Sequence, residues 1–227
     1  MNPAVVHIDQ KATNRLIPSR FPPIGILDAI ATPDDLQHII ELEGWTNDRL
    51  SAELGIIMTI PPAEWVVGQP HASVVMAAYC HPHADGGRFN SATRGAWYAA
   101  FSLNTAIRET VYRRTKEFEE IGVFDERVEM RQYLADFDCK FHDVRPTPEF
   151  DAQHDPNSYT AGQALGAELL TSGSNKVIYR SVRDAGGECV ACFRPRLVLN
   201  VRPAAHFEYK WEGSPEPIVT ELSMPMD

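Results

Sequence analysis

Three metal-ligand side chains stand within four residues in Cys80-His81-Pro82-His83, with His71 and Asp85 close by, a density that would suit a metal-dependent hydrolase. A further ligand would have to come from elsewhere, and neighbours on an extended chain point to opposite faces, so a polar loop is the plainer reading and no metal is expected. Cys189-Val190-Ala191-Cys192 has the spacing of a chelating or redox pair. On a strand, residues three apart face opposite ways, and no second pair completes a zinc site; two buried, reduced thiols fit better. No GxGxxG follows a strand and no GxxxxGKS/T occurs, so a nucleotide would have to be held without either glycine-rich phosphate loop. GxSxG and HExxH, two common hydrolase signatures, are also absent.

Three separated segments bring charge, hydroxyl and aromatic groups together in a more specific way. They are Gly86-Gly87-Arg88-Phe89-Asn90-Ser91, then Trp97-Tyr98-Ala99-Ala100 running into a helix that carries Glu109, then Tyr179-Arg180-Ser181-Val182-Arg183. Each residue alone has an ordinary explanation. Glu109 stands four residues before Arg113, the spacing of a surface ion pair worth a few tenths of a kcal/mol. Arg88 could merely follow a Gly-Gly turn, Tyr98 could be a core strand residue, and Ser181 could be turn chemistry ahead of Asp184.

Taken jointly and in order, the segments resemble the RES domain family, named for an arginine, a glutamate and a serine that match Arg88, Glu109 and Ser181. Arg15-Leu16 fits the family's early arginine, Tyr98 its tyrosine before the helix, and Gln163-Ala164-Leu165-Gly166 the helix before the serine strand. The closing hairpin, Gly186-Gly187-Glu188-Cys189-Val190-Ala191 with Phe193-Arg194-Pro195, fits as well. Phe89 replaces a common tryptophan, and the stretch between Arg15 and Arg88 is long for the family. The resemblance implies one domain over 1–227, with 21–72 as an insertion or extra lobe. It also implies a fold like the diphtheria-toxin-type ADP-ribosyltransferases: α/β (α+β), a mixed sheet with flanking helices.

The activity implied is destruction of NAD+ at its nicotinamide glycosidic bond, by water or phosphate, in the toxin of a toxin–antitoxin pair. Transfer of ADP-ribose to a protein is the alternative within the family, and a catalytically silent binding module is the alternative outside enzymology. NAD+ is then substrate, with no prosthetic group expected. The partner is a helix-turn-helix (Xre-type) antitoxin, and a homo-oligomer within that complex is left open. Glu109, Arg88 and Ser181 are the expected catalytic set, with Arg15, Arg88, Phe89, Asn90, Tyr98 and Ser181 holding the dinucleotide. Physically, an arginine fork suits a pyrophosphate, and Phe89 and Tyr98 offer flat surface to a ring. A carboxylate such as Glu109 stabilises the positive charge that develops on the ribose. Ser181 reads as a hydrogen-bonding group, because no His-Asp pair accompanies it.

The elements that must position these residues are partly readable. Thr32-Pro33-Asp34-Asp35 opens a helix with Leu36, Ile39 and Ile40 on one face, ending near Gly44. Leu54 to Ile60 and Ser73 to Tyr79 read as strands, joined through Gly68 and Pro70, and Ala96 to Phe101 as a third. Ser102 caps a helix to about Phe118, with Leu103, Ile107, Thr110 and Val111 inward. Val128 to Asp138 is a strand, Ser158 caps a helix stopped at Gly173, and Lys176 to Val182 with Glu188 to Arg194 form a hairpin around Asp184-Ala185-Gly186-Gly187. His206 to Trp211 alternates as a last strand with Phe207, Tyr209 and Trp211 buried, after which the chain is expected to fray.

The 227 residues, 44% of them hydrophobic, can bury a real core. A net charge of −10, with no basic block, argues against a nucleic-acid partner. No apolar run reaches membrane-spanning length and Met1 to Gln10 lacks a secretion signal, so a cytoplasmic protein is expected.

Overall fold

The computed structural model describes residues 3–18, 26–30, 32–43, 57, 60–145, 148–174 and 176–223. Strand β1 (Ala4–Pro18) leads to helices α1 (Ile26–Ala29), α2 (Pro33–Glu43) and α3 (Ala72–Cys80). Strand β2 (Trp97–Ala100), helix α4 (Leu103–Ile121) and strand β3 (Asp125–Asp143) follow. Helix α5 (Thr160–Thr171), the hairpin β4 (Lys176–Arg180) and β5 (Glu188–Cys192), and strands β6 (Leu199–Glu212) and β7 (Ile218–Leu222) complete the chain. The strands form one mixed sheet in the order β1-β2-β5-β4-β3-β6-β7, all neighbours antiparallel except β3 and β4, and β1 also pairs along β3. This is the expected mixed sheet with flanking helices.

The hairpin and helix α4 form where the sequence places them. Ser102 Oγ accepts the Thr105 N–H at 3.1 Å, and Gly122 at φ +69 ends the helix in the left-handed region that glycine tolerates. Thr32 caps α2 in the same way, its Oγ1 accepting from Asp35 N at 3.1 Å, and Leu36 is fully buried. Phe207, Tyr209 and Trp211 are buried, as the alternation requires.

Three expectations change. Ser73 to Tyr79 lies in helix α3 rather than a strand. Apart from Ser73 the stretch carries no strongly polar residue, and it is buried from Ala72 to Met76 and again at Tyr79 and Cys80, so no polar face reports its period. Its amino end is capped from a distance: Asp28 of α1 accepts from His71 N at 2.9 Å and from Ser73 N and Oγ, each at 2.8 Å. Nor does the chain fray after Trp211; it turns at Gly213 and returns as β7 against β6. Ile57, the one described residue inside the proposed strand ahead of Ile60, is helical, and most of that stretch lies outside the described residues. Strand β1, which carries Arg15, has no counterpart in the sequence reading.

Two cores lie on opposite faces of β2, β5 and β4. Trp97, Val190 and Cys192 join Leu27, Leu36, Trp65 and the α3 side chains on one face. Cys189, Ala191 and Tyr179 join Phe89, Ala106, Leu165 and Trp211 on the other. Cys189 and Cys192 thus point away from each other, and burial pushes the Cys192 thiol up to about 11 and that of Cys80 to about 12. A bulge in β1 sets Lys11 and Ala12 opposite Asp136. Ala12 takes φ +57 and gives its N–H to Asp136 Oδ1 at 2.8 Å, which fixes the register that leads to Asn14 and Arg15.

One buried histidine makes stability pH-dependent. His154 Nε2 accepts the Arg180 N–H at 3.1 Å, so Nδ1 carries the proton and donates to Phe150 O at 2.8 Å. Burial pulls its pKa below the ordinary 6.5. The unfolded chain therefore takes up this proton first, and stability present above about pH 6.5 falls as pH drops toward the folded-state value. The urea midpoint is expected to fall between pH 7.5 and 5.5 more steeply in the parent than in His154→Gln; parallel curves would refute the assignment.

Candidate active site

Strands β1 and β2 share a single register pair, Asn14 with Ala100, and the two strands diverge beyond it. A cleft of about 690 Å³ is lined there by residues 14–18 of β1, by Tyr98 to Ala100, by the loop at Gly86–Arg88 and by the α4 face from Ala106 to Glu117. That is an ordinary size for a small-molecule site. Arg15, Arg88, Arg113 and Arg114 face Glu109 and Glu117 in it, so cations outnumber carboxylates although the whole chain carries −10. Tyr98, Tyr112, Tyr159 and Tyr179 supply aromatic wall.

The glycine loop is shaped by close approach. Gly86 has φ +74, and Tyr98 Oη accepts the Phe89 N–H at 2.9 Å while donating to Asn90 Oδ1 at 2.7 Å. Burial pushes the Tyr98 phenol upward, which keeps it a donor. Gln163 Nε2 on α5 donates to the carbonyls of Asp85 at 2.8 Å and Gly87 at 3.1 Å. A Cβ at Gly162 would lie 2.2 Å from the Arg88 carbonyl oxygen, and one at Gly166 1.9 Å from that of Phe89. The helix and the loop meet backbone to backbone.

Arg88 is 7% exposed, and its Nη1 donates to the carbonyls of Gln153 at 3.0 Å and Asp155 at 2.8 Å, with its guanidinium over the Tyr159 ring. It lies on the lining of the cleft. Arg15 gives Nη1 to the Tyr98 carbonyl at 3.0 Å and stacks over Trp97, and its buried Nε has no hydrogen-bond partner among the described residues. Burial lowers its pKa to about 10, so it remains charged at neutral pH.

Glu109 does not pair with Arg113; Arg113 reaches Glu117 at 3.8 Å. Instead Glu109 Oε1 accepts the Ser181 hydroxyl at 2.5 Å, joining α4 to the end of β4 across 72 residues of sequence. Ser181 Oγ already accepts the N–H groups of Arg183 at 3.1 Å and Asp184 at 3.0 Å. Both its lone pairs are thereby used, and its one proton must point at Glu109. Such a hydroxyl orients a carboxylate, and with both lone pairs held by backbone N–H groups it has none free to attack as a nucleophile.

The fold therefore brings Arg15, Arg88, Asn90, Tyr98 and Glu109 to one cleft, with Ser181 behind Glu109 on the lining of a second, more open groove. Phe89 is the exception. It is 1% exposed, packs edge-on to Tyr179 at 4.9 Å and gives its ring to the core. The flat surface expected of it comes from the tyrosines. Sequence reasoning missed Tyr112, Tyr159 and Arg113 as cleft residues. Tyr112 and Arg113 stand three and four positions after Glu109, and that helical spacing was the available signal.

Comparison with known proteins agrees with the sequence resemblance. The chain is similar to an uncharacterized protein, y4oC, of Sinorhizobium fredii (strain NBRC 101917 / NGR234), at 25% identity over 200 residues that cover 88% of this chain and 83% of that one. Among solved structures it is similar to the crystal structure of the M. tuberculosis MbcT-MbcA toxin-antitoxin complex, with a TM-score of 0.46 and 13% identity over 90% of this chain and 86% of that one. The RES domain family model matches residues 63–212, which include Arg88, Glu109 and Ser181. With that share of its length matched, the chain belongs to the RES domain family.

Proposed function

We propose that the protein cleaves the nicotinamide–ribose bond of NAD+ in this cleft, as the toxin of a toxin–antitoxin pair. The observation that supports the reading best is the Ser181–Glu109 hydrogen bond, which fixes a carboxylate at an arginine-lined cleft. The bond between the nicotinamide nitrogen and the ribose breaks with its electron pair going to the ring nitrogen, leaving an oxocarbenium-like ribose. Glu109 stabilises that charge, and water, phosphate or a side chain supplies the electron pair that closes the new bond. Arg15 and Arg88 neutralise the pyrophosphate while the tyrosines pack against the rings.

The test is to incubate purified protein with NAD+, with and without phosphate, and to identify the products by mass. Free ADP-ribose, ADP-ribose 1″-phosphate or a labelled protein each identifies the acceptor. Intact NAD+ in every arm, including one with candidate acceptor proteins, would overturn the reading in favour of a silent binding module.

An enzyme that drains NAD+ in its own cell needs restraint. A helix-turn-helix antitoxin would supply it by placing an acidic group among the cleft arginines, so that inhibition is competitive with NAD+.

Arg113 gives a narrower prediction. Among the described residues its one carboxylate partner is at 3.8 Å, which leaves its fork free for substrate phosphate. Arg113→Ala is expected to raise KM for NAD+ about tenfold with kcat within about threefold, the pattern of lost uniform binding. An unchanged KM in initial-rate kinetics would remove Arg113 from the site.

A further inference from the structure

Ser181 reaches Glu109 only if the turn from Ser181 to Gly187 is held against helix α4, and a separate set of contacts holds it there. Asp184 Oδ2 accepts the Thr105 hydroxyl at 2.6 Å and Asn104 Nδ2 at 3.3 Å, and Oδ1 lies 3.3 Å from Arg108 Nε. These three residues lie in the first turn and a half of α4, with Thr105 one turn before Glu109 and Arg108 directly before it. Thr105 is 1% exposed. Because its hydroxyl gives its proton to Asp184, the 2.7 Å contact between Thr105 and Ser102 must have Ser102 as donor. Protons thus run in one direction, from Ser102 through Thr105 to Asp184. Within the turn, Ser181 N donates to Gly187 O at 2.8 Å and Gly187 N to Asp184 O at 2.9 Å, so Asp184 and Ser181 move as one unit. Gly187 leaves no slack: a Cβ there would lie 2.7 Å from Thr105 Oγ1 and 3.0 Å from Asp184 Oδ2.

We infer that Asp184 is a positioning residue for Glu109, clasping the serine turn to the start of α4 so that the Ser181 hydroxyl is held against the carboxylate. The catalytic consequence rests on the proposed NAD+ reaction, whereas the clasp itself does not. The sequence shows Asp184 only as the first residue of a hairpin turn, and nothing in its type suggests a link to a glutamate 75 positions earlier.

The experiment compares Thr105→Val, Asp184→Ala and Asp184→Asn, each alone and with Ser181→Ala. Thr105→Val and Asp184→Ala should lower kcat for NAD+ cleavage about tenfold with KM within about threefold. Asp184→Asn, whose amide oxygen still accepts from Thr105, should recover most of the rate. Added to Ser181→Ala, neither Thr105→Val nor Asp184→Ala should cost further activity, because the clasp acts through that hydroxyl. Losses that multiply in the double variants, or a rise in KM in place of the fall in kcat, would overturn the inference. Should the parent leave NAD+ intact, the proposed reaction fails separately, and amide exchange decides the clasp. The Arg183 and Asp184 amides should then exchange at least about tenfold faster in Thr105→Val than in the parent, with residues 110–118 unchanged. Unchanged turn amides would refute it.

Discussion

Glu109→Gln is expected to lower kcat for NAD+ cleavage by about 10²- to 10³-fold while the thermal midpoint stays within a degree or two of the parent. The substitution keeps the shape, and its amide oxygen still accepts the Ser181 hydroxyl, which meets Glu109 at 2.5 Å. What it removes is the negative charge that an oxocarbenium-like ribose needs. NAD+ binding, measured by calorimetry, should survive, because the arginines and tyrosines that line the cleft are untouched. A variant turning over within about threefold of the parent would leave no electrostatic role worth defending. The same change separates the rival reading of Glu109 as surface decoration. A solvated carboxylate would cost nothing in rate when neutralised, and the carboxylate here is bonded to a serine 72 positions away.

The second large effect concerns architecture. Gly166→Ala is expected to cost about 3 kcal/mol of stability and to abolish activity, since its Cβ would sit 1.9 Å from the Phe89 carbonyl oxygen and 2.8 Å from its carbonyl carbon. Neither atom belongs to a flexible side chain, so helix α5 and the Arg88–Phe89 segment must separate. Arg88 would then leave the carbonyls of Gln153 and Asp155. Gly173→Ala is the control: among the described residues nothing lies within 4 Å of its Cβ, and only the strain of φ +78 applies, about 1 kcal/mol. Urea unfolding of the two variants measures the contrast. Equal losses would mean that the loop yields and the close approach is unimportant.

Much of this protein was readable from local chemistry. Helix α4 carries its own serine cap and terminal glycine, the β4–β5 hairpin carries Asp184-Ala185-Gly186-Gly187 between two apolar runs, and Phe207, Tyr209 and Trp211 alternate on one face. In each case the signal lies within a few residues of what it specifies. The order of Arg88, Glu109 and Ser181 also belongs to the sequence, and it identified the family. The rest was decided at a distance. Helix α3 has no polar face and is capped by Asp28, more than 40 residues away, so neither period nor cap was available locally. The face on which Arg15 emerges follows from a bulge opposite Asp136, because one extra residue reverses every later side chain of a strand. Phe89 looked like a ligand platform, but its ring lies in the core beside Tyr179, packing that no neighbour in sequence reveals. Glu109 had Arg113 one helical turn away as the obvious partner. It bonds Ser181 instead, because the fold fixes that hydroxyl's proton in its direction, and a hydrogen bond supplied by packed backbone outcompetes a solvated ion pair.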